Sequence, residues 1–165
     1  MKRSIILTNT EIQHKIKRIA FQIYENNSNQ KEVIIAGIAN NGFLLAKKLK
    51  TALDKISSIN VTICEVKIDK KNPLNPIETS IPPTDYKNKS LVLVDDVLNS
   101  GTTLMYAVRH FLAVPLKQFN TAVLVNRNHK KYPVKADFKG ISLSTSLQEH
   151  ITVEVDGSKI MAYLN

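Results

Sequence analysis

The chain has 165 residues, 43% hydrophobic and 22% charged, and carries a net charge of +9 from 23 Lys and Arg against 14 Asp and Glu. That length suits a single domain, expected over residues 1–165, with a sizeable core and a soluble, globular composition. No apolar run approaches membrane-spanning length, and the lone Cys64 excludes an intrachain disulfide or a cysteine zinc cage.

The apolar part of the opening Met1-Lys2-Arg3-Ser4-Ile5-Ile6-Leu7 is too short for a secretion signal, so a cytoplasmic location is expected. Thr8-x-x-Glu11 is a capping box, and it opens an amphipathic helix with Ile12, Ile16, Ile19, Ala20 and Ile23 on one face. Asn26-Asn27-Ser28-Asn29 ends that helix. Residues 33–38 read as a first buried strand. The turn Gly37-Ile38-Ala39-Asn40-Asn41-Gly42 then leads into a helix through Phe43, Leu44, Leu45, Leu49 and Leu53. A second strand is expected at 61–68. Residues 69–83 contain Pro73, Pro76, Pro82 and Pro83, and so are expected to hold no regular element. A loop of that length is a candidate lid, with Lys70 and Lys71 able to reach a leaving anion. An apolar strand at 91–94, a helix at 104–112 and a strand at 121–125 follow. Strands alternating with helices argue for a parallel sheet, and segments 151–155 and 159–163 around Asp156-Gly157-Ser158 argue for a terminal hairpin.

The most informative stretch is Ser90-Leu91-Val92-Leu93-Val94-Asp95-Asp96-Val97-Leu98-Asn99-Ser100-Gly101-Thr102-Thr103-Leu104. A continuous apolar run marks a buried parallel strand, and the crevice at the carboxyl end of such a strand is where open α/β sheets bind ligands. Gly101 lets backbone approach a ligand, Ser100, Thr102 and Thr103 add hydroxyls, and the opening amides of a helix suit a phosphate. Two carboxylates beside an anion cradle repel the anion unless a diol or metal engages them, and Asp95 and Asp96 can accept hydrogen bonds from a sugar diol on the same phosphate. The net positive charge suits polyanionic partners without choosing among nucleotide, pyrophosphate and nucleic acid.

This stretch resembles the phosphoribosyl-pyrophosphate motif of the type I phosphoribosyltransferases, an apolar strand with two acids followed by Thr/Ser-Gly-x-Thr. The resemblance implies an α/β fold with a mainly parallel central sheet flanked by helices, a small hood and a C-terminal β-hairpin. It gives Asp95 and Asp96 to the ribose and the reaction, Asn99, Ser100, Gly101, Thr102 and Thr103 to the 5′-phosphate, and Ala39, Asn40, Asn41 and Gly42 to the pyrophosphate. Residues 122–140, Ala-Val-Leu-Val-Asn-Arg-Asn-His-Lys-Lys-Tyr-Pro-Val-Lys-Ala-Asp-Phe-Lys-Gly, followed by Ser144-Thr145-Ser146, are similar to the bifunctional pyrimidine operon attenuation and uracil phosphoribosyltransferase group. The chain departs from that group at Asn41 and Thr102, where Arg is usual, at Asn99 for Tyr, at Asn126 for Asp and at Asn128 for Gly. Its 69–83 loop is also shorter.

The implied reaction joins phosphoribosyl pyrophosphate and uracil, giving UMP and pyrophosphate, with Mg²⁺ bound through the donor rather than by protein alone. Val125, Asn126 and Arg127 are expected near the base, and Arg127 is open to pyrophosphate, to RNA or to a pair with Asp137. Family members assemble as dimers or larger oligomers, and Lys130, Lys131 and Lys135 are candidates for binding an mRNA leader. The alternatives are a nucleotide-sensing RNA-binding regulator with little turnover, and a phosphoribosyltransferase for another base. His14 and His129 read as surface or packing residues, and Cys64 as packed within a strand.

Overall fold

The computed structural model describes residues 3–165; Met1 and Lys2, at the head of the expected domain and opening segment, lie outside them. The first element is a short strand, β1 (Ser4–Leu7), followed by α1 (Asn9–Asn26). Both arms of the capping box form: the Glu11 amide donates to the Thr8 hydroxyl at 3.4 Å, and the Thr8 amide donates to the Glu11 carboxylate at 2.8 Å. At the far end, buried Asn27 donates to the Ile23 carbonyl and accepts from the Ser90 hydroxyl, so a polar pair is satisfied inside the core.

Six strands form the main sheet: β2 (Glu32–Ile38), β3 (Asn60–Lys67), β4 (Glu78–Thr79), β5 (Ser90–Leu98), β6 (Gln118–Arg127) and β7 (Phe138–Leu143). Their spatial order is β4-β3-β2-β5-β6-β7, parallel throughout except for β4. The central strands are apolar on both faces because both are covered. Val33, Ile35, Val92 and Val94 pack toward α1 and α2 (Asn41–Ile56), while Ile34, Ala36, Leu91 and Leu93 pack toward Tyr86 and α4 (Thr102–Phe111). The last two strands, β8 (Ile151–Asp156) and β9 (Lys159–Leu164), form the expected hairpin, and β1 joins it to give a separate sheet ordered β1-β9-β8. Among the described residues no helix is long and apolar enough to cross a membrane.

The fold corrects the sequence expectation in three places. Residues 69–83 do hold a regular element: Glu78 and Thr79 lie between the prolines, keep their N–H groups and pair antiparallel with Lys67 and Val66 as β4. Pro83 opens a single helical turn, α3 (Pro83–Tyr86), because proline at a first helical position loses no needed hydrogen bond. Strand β5 does not stop at 94 but continues through both carboxylates to Leu98, held by β6 with Asp95 opposite Val123 and Leu98 opposite Asn126. β1 and β7 went unpredicted, β1 being too short to show a period.

Candidate active site at the switch point

From β2 the chain runs to α2 and β3 on one side of the sheet, and β5 leads to β6 on the other. The crevice between the carboxyl ends of β2 and β5 is therefore the topological switch point, the usual ligand position in such sheets. A cavity of about 360 Å³ lies there. Its walls bring together Asn41, Lys70, Asp95, Asp96, the turn from Asn99 to Thr103 and, from the hood, Ile151, Thr152 and Val153. An adjoining cavity of about 350 Å³ is lined by Ala39, Asn40, Asn41, Ile68, Lys70 and Asp96.

The turn is built for close approach. Gly101 has φ +86°, a left-handed conformation that suits glycine, and a Cβ there would sit 2.6 Å from the Val134 side chain. Gly101 offers α4 no side-chain cap; the Thr102 amide donates to the Ser100 hydroxyl at 3.3 Å, the Ser100 and Thr102 hydroxyls share a 2.9 Å hydrogen bond, and the Thr103 amide remains for a ligand. Gly42 serves the other wall. A Cβ there would come within 2.8 Å of the Val94 carbonyl and 3.2 Å of Asp95 Oδ1, so only glycine lets α2 press on the end of β5.

That contact buries Asp95. Its side chain is 6% exposed, Oδ1 accepts from the Asp96 amide, and the cation nearest it among the described residues, Lys70, stands 3.9 Å away. Loss of hydration, then repulsion from the Asp96 carboxylate, pushes the Asp95 carboxyl up to about 8, with Lys70 offsetting part of the rise. Asp96 is less buried and more fully bonded: Oδ1 accepts from the Val97 amide and Oδ2 from the Asn41 side chain, each at 2.9 Å. The same Asn41 amide donates to the Val153 carbonyl at 2.9 Å. One neutral side chain thus links the second carboxylate to hood strand β8.

Lys71 is exposed and lines neither cavity. Its amide, with that of Asn72, donates to Asp69, and those bonds hold the Asp69 carboxyl below the usual range. Val125, Asn126 and Arg127 are buried at the end of β6 and line neither cavity. Arg127 does not pair with Asp137, which instead accepts from Asn120 and the Thr121 amide and meets Lys135 at 3.4 Å. The guanidinium reaches Asn99, Thr145 and Ser146. Lys130 turns back to donate to Asn126 Oδ1 at 2.8 Å, whereas Lys131 and Lys135 are exposed. His129 bonds the Thr145 carbonyl. The wall formed by β8 belongs to the terminal hairpin expected over the site, though the sequence did not show which of its residues would line the cavity.

A parallel sheet whose switch point joins paired carboxylates to a capless helix start beneath a separate hood defines the type I phosphoribosyltransferase class. The chain belongs to the phosphoribosyl transferase domain family, whose model matches residues 2–156. Among curated relatives, the Bifunctional protein PyrR of Streptococcus agalactiae serotype V is 31% identical over 158 residues, covering 94% of this chain and 91% of that protein. That of Streptococcus thermophilus is 31% identical over 163 residues, covering 95% and 94%. Among solved structures, the hypoxanthine phosphoribosyltransferase of Trypanosoma cruzi matches with a TM-score of 0.77 at 15% identity, over 96% of this chain and 95% of that one. A hypoxanthine-guanine phosphoribosyltransferase from Bacillus anthracis matches at 0.70 and 18% identity, over 87% and 84%. These two establish the fold.

The burial of Asp95 has a consequence for stability. The folded protein keeps this carboxyl protonated up to about pH 8, while the unfolded chain releases the proton near an ordinary aspartate value of about 4. Between those limits the folded state holds the extra proton, so stability of the unliganded protein falls as pH rises across that window. Urea unfolding from pH 4 to 9 should show this decline, and Asp95→Asn should remove most of it. A wild-type profile identical to that of Asp95→Asn would show that Asp95 ionises normally.

Proposed function

We propose that this phosphoribosyltransferase transfers the ribose 5-phosphate of phosphoribosyl pyrophosphate to uracil, giving UMP and pyrophosphate. The observation that carries this reading is the convergence of Asp95, Asp96 and the turn 99–103 on one cavity. The choice of uracil is supported by the likeness of residues 122–140 to the uracil-using group, and by the 31% identity to PyrR proteins along nearly the whole chain.

In the reaction a uracil nitrogen forms a bond to the anomeric carbon as the bond from that carbon to pyrophosphate breaks; the bonding pair leaves with pyrophosphate, and the proton the nitrogen carried passes to the departing pyrophosphate. Positive charge develops on the ribose ring at that moment. Asp96, held by Asn41 and the Val97 amide, offers its carboxylate to the diol and adds negative potential nearby. Asp95, kept neutral by burial, can donate a hydrogen bond to a ribose hydroxyl and spares the incoming phosphates a second negative charge. The amides of Gly101 and Thr103 and the Ser100 and Thr102 hydroxyls take the 5′-phosphate, and Ala39, Asn40 and Asn41 with Lys70 face the diphosphate, whereas Gly42 lines neither cavity and serves by packing on the end of β5. The hood strand β8 over the cavity limits access of water that would hydrolyse the donor.

Among the described residues no group of three or more His, Cys, Asp or Glu side chains converges to hold a metal. Asp96, beside the expected diol, is the carboxylate that would help hold an ion brought in by the donor, since Asp95 is kept neutral by burial. Mg²⁺ bound in that way neutralises charge on the leaving pyrophosphate.

Pyrophosphate release from phosphoribosyl pyrophosphate with Mg²⁺ and a panel of free bases tests the reading. Uracil should be the best acceptor, and Asp95→Asn with Asp96→Asn should abolish both turnover and UMP binding while thermal unfolding stays cooperative. Faster release with hypoxanthine or guanine would assign the site to a purine, and unchanged UMP affinity in the folded double variant would remove the ribose assignment.

A second activity, selective binding of leader RNA by a dimer or larger assembly, is supported by the +9 charge, by exposed Lys131 and Lys135, and by the word bifunctional in the relatives' name. Binding should weaken steeply with salt and respond to UMP. Alanine at Lys130, Lys131 and Lys135 should weaken it without changing UMP affinity. Gel-shift titrations showing equal affinity for any hairpin, indifferent to UMP, would leave the transferase alone.

A further inference from the structure

Arg127 ends β6 and is 6% exposed, yet no carboxylate lies within ion-pairing distance of it among the described residues. All of its partners are neutral. Nε donates to the Thr145 hydroxyl at 2.9 Å, Nη1 to Asn99 Oδ1 at 3.1 Å and Nη2 to the Ser146 carbonyl at 3.1 Å. Its influence does reach exposed Glu149, whose carboxyl is held low by Ser146 first and by Arg127 only last. A guanidinium does not deprotonate in a protein, so the charge stays, and a buried charge among neutral acceptors is costly unless an anion comes near.

The contact with Asn99 shows where that anion belongs. Arginine has donors only, so the end of the Asn99 amide that meets it must be the carbonyl oxygen. The opposite end, the NH₂ group, is then left as a donor on a residue that lines the cavity at the head of the 99–103 turn, and it bonds to no other described residue. The other two contacts of Arg127 fall on the segment between β7 and β8, which leads into the hood wall of the same cavity.

We propose that Arg127 is a positioning residue for the donor's 5′-phosphate. It fixes Asn99 so that the amide NH₂ faces the phosphate, and its buried charge is the counter-charge the phosphate meets across that side chain. This rests on the assignment of the 99–103 turn to the 5′-phosphate. Arg127 touches neither the base nor the reacting carbon.

Calorimetric titration of UMP and of uridine, which lacks the phosphate, separates this role from a structural one. Arg127→Gln should weaken UMP about tenfold or more and leave uridine unchanged. Arg127→Lys should restore little, because an ammonium cannot hold three directed contacts as a planar fork does. Asn99→Ala combined with Arg127→Gln should bind UMP about as weakly as Arg127→Gln alone. Asn99→Asp covers the case in which Arg127→Gln does not fold: an ion pair with Arg127 should raise the melting temperature, while loss of the facing donor should weaken UMP and spare uridine. Equal loss of UMP and uridine in Arg127→Gln, or wild-type UMP affinity in Asn99→Asp, would overturn the proposal. Thr103→Ala distinguishes the two levels. If it weakens UMP while the Arg127 and Asn99 variants do not, this inference fails alone. If wild type and Thr103→Ala both bind UMP no better than uridine, the phosphate assignment itself fails.

Discussion

The arrangement of this site depends on how closely the start of α2 lies against the end of β5. Gly42 sits where a single added carbon would strike the Val94 carbonyl and crowd the Asp95 carboxylate. Because that approach is allowed, Asp95 is shut off from water and stays protonated up to about pH 8. Its neighbour Asp96, still partly open, keeps an ordinary set of amide donors. Two chemically identical side chains, adjacent in sequence, are thereby given different surroundings by packing. This resolves the conflict of placing two acids beside a phosphate cradle, since one of them carries no charge when the phosphate arrives.

The sheet and the hood share an apolar core and are tied together at the site by single polar side chains. The Asn41 amide joins Asp96 to the Val153 carbonyl, and Arg127 joins Asn99 to the segment that leads to β8. In both cases an amide side chain stands where the resembling families carry Arg or Tyr. Asn41 ties the hood to Asp96 with two hydrogen bonds of 2.9 Å, so this side chain helps hold the walls of the cavity together.

Much of this was legible from local patterns. The capping box at Thr8 and Glu11, the apolar runs of β2 and β5, and the Gly101 turn are each set by neighbours within a few residues, so the sequence displays them. What was not legible depends on distant partners. β1 has four residues and becomes a strand only because β9 pairs with it. β4 has two and is fixed by β3. The partner of Arg127 could not be chosen from sequence, because Asp137 is near in chain position while Asn99, Thr145 and Ser146 are brought to it by the parallel register of β5, β6 and β7. Lys130, grouped by charge with Lys131 and Lys135, is separated from them by a hydrogen bond to Asn126.

The proposed function stands or falls with whether the paired carboxylates at the end of β5 hold the ribose diol of a phosphoribosyl ligand. Comparing the affinity of the wild-type protein for UMP and for its 2′,3′-dideoxy analogue tests this most directly, since the two ligands share base and phosphate and differ only at the diol. Markedly weaker binding of the dideoxy ligand is expected at neutral pH. Equal affinity for the two would contradict it.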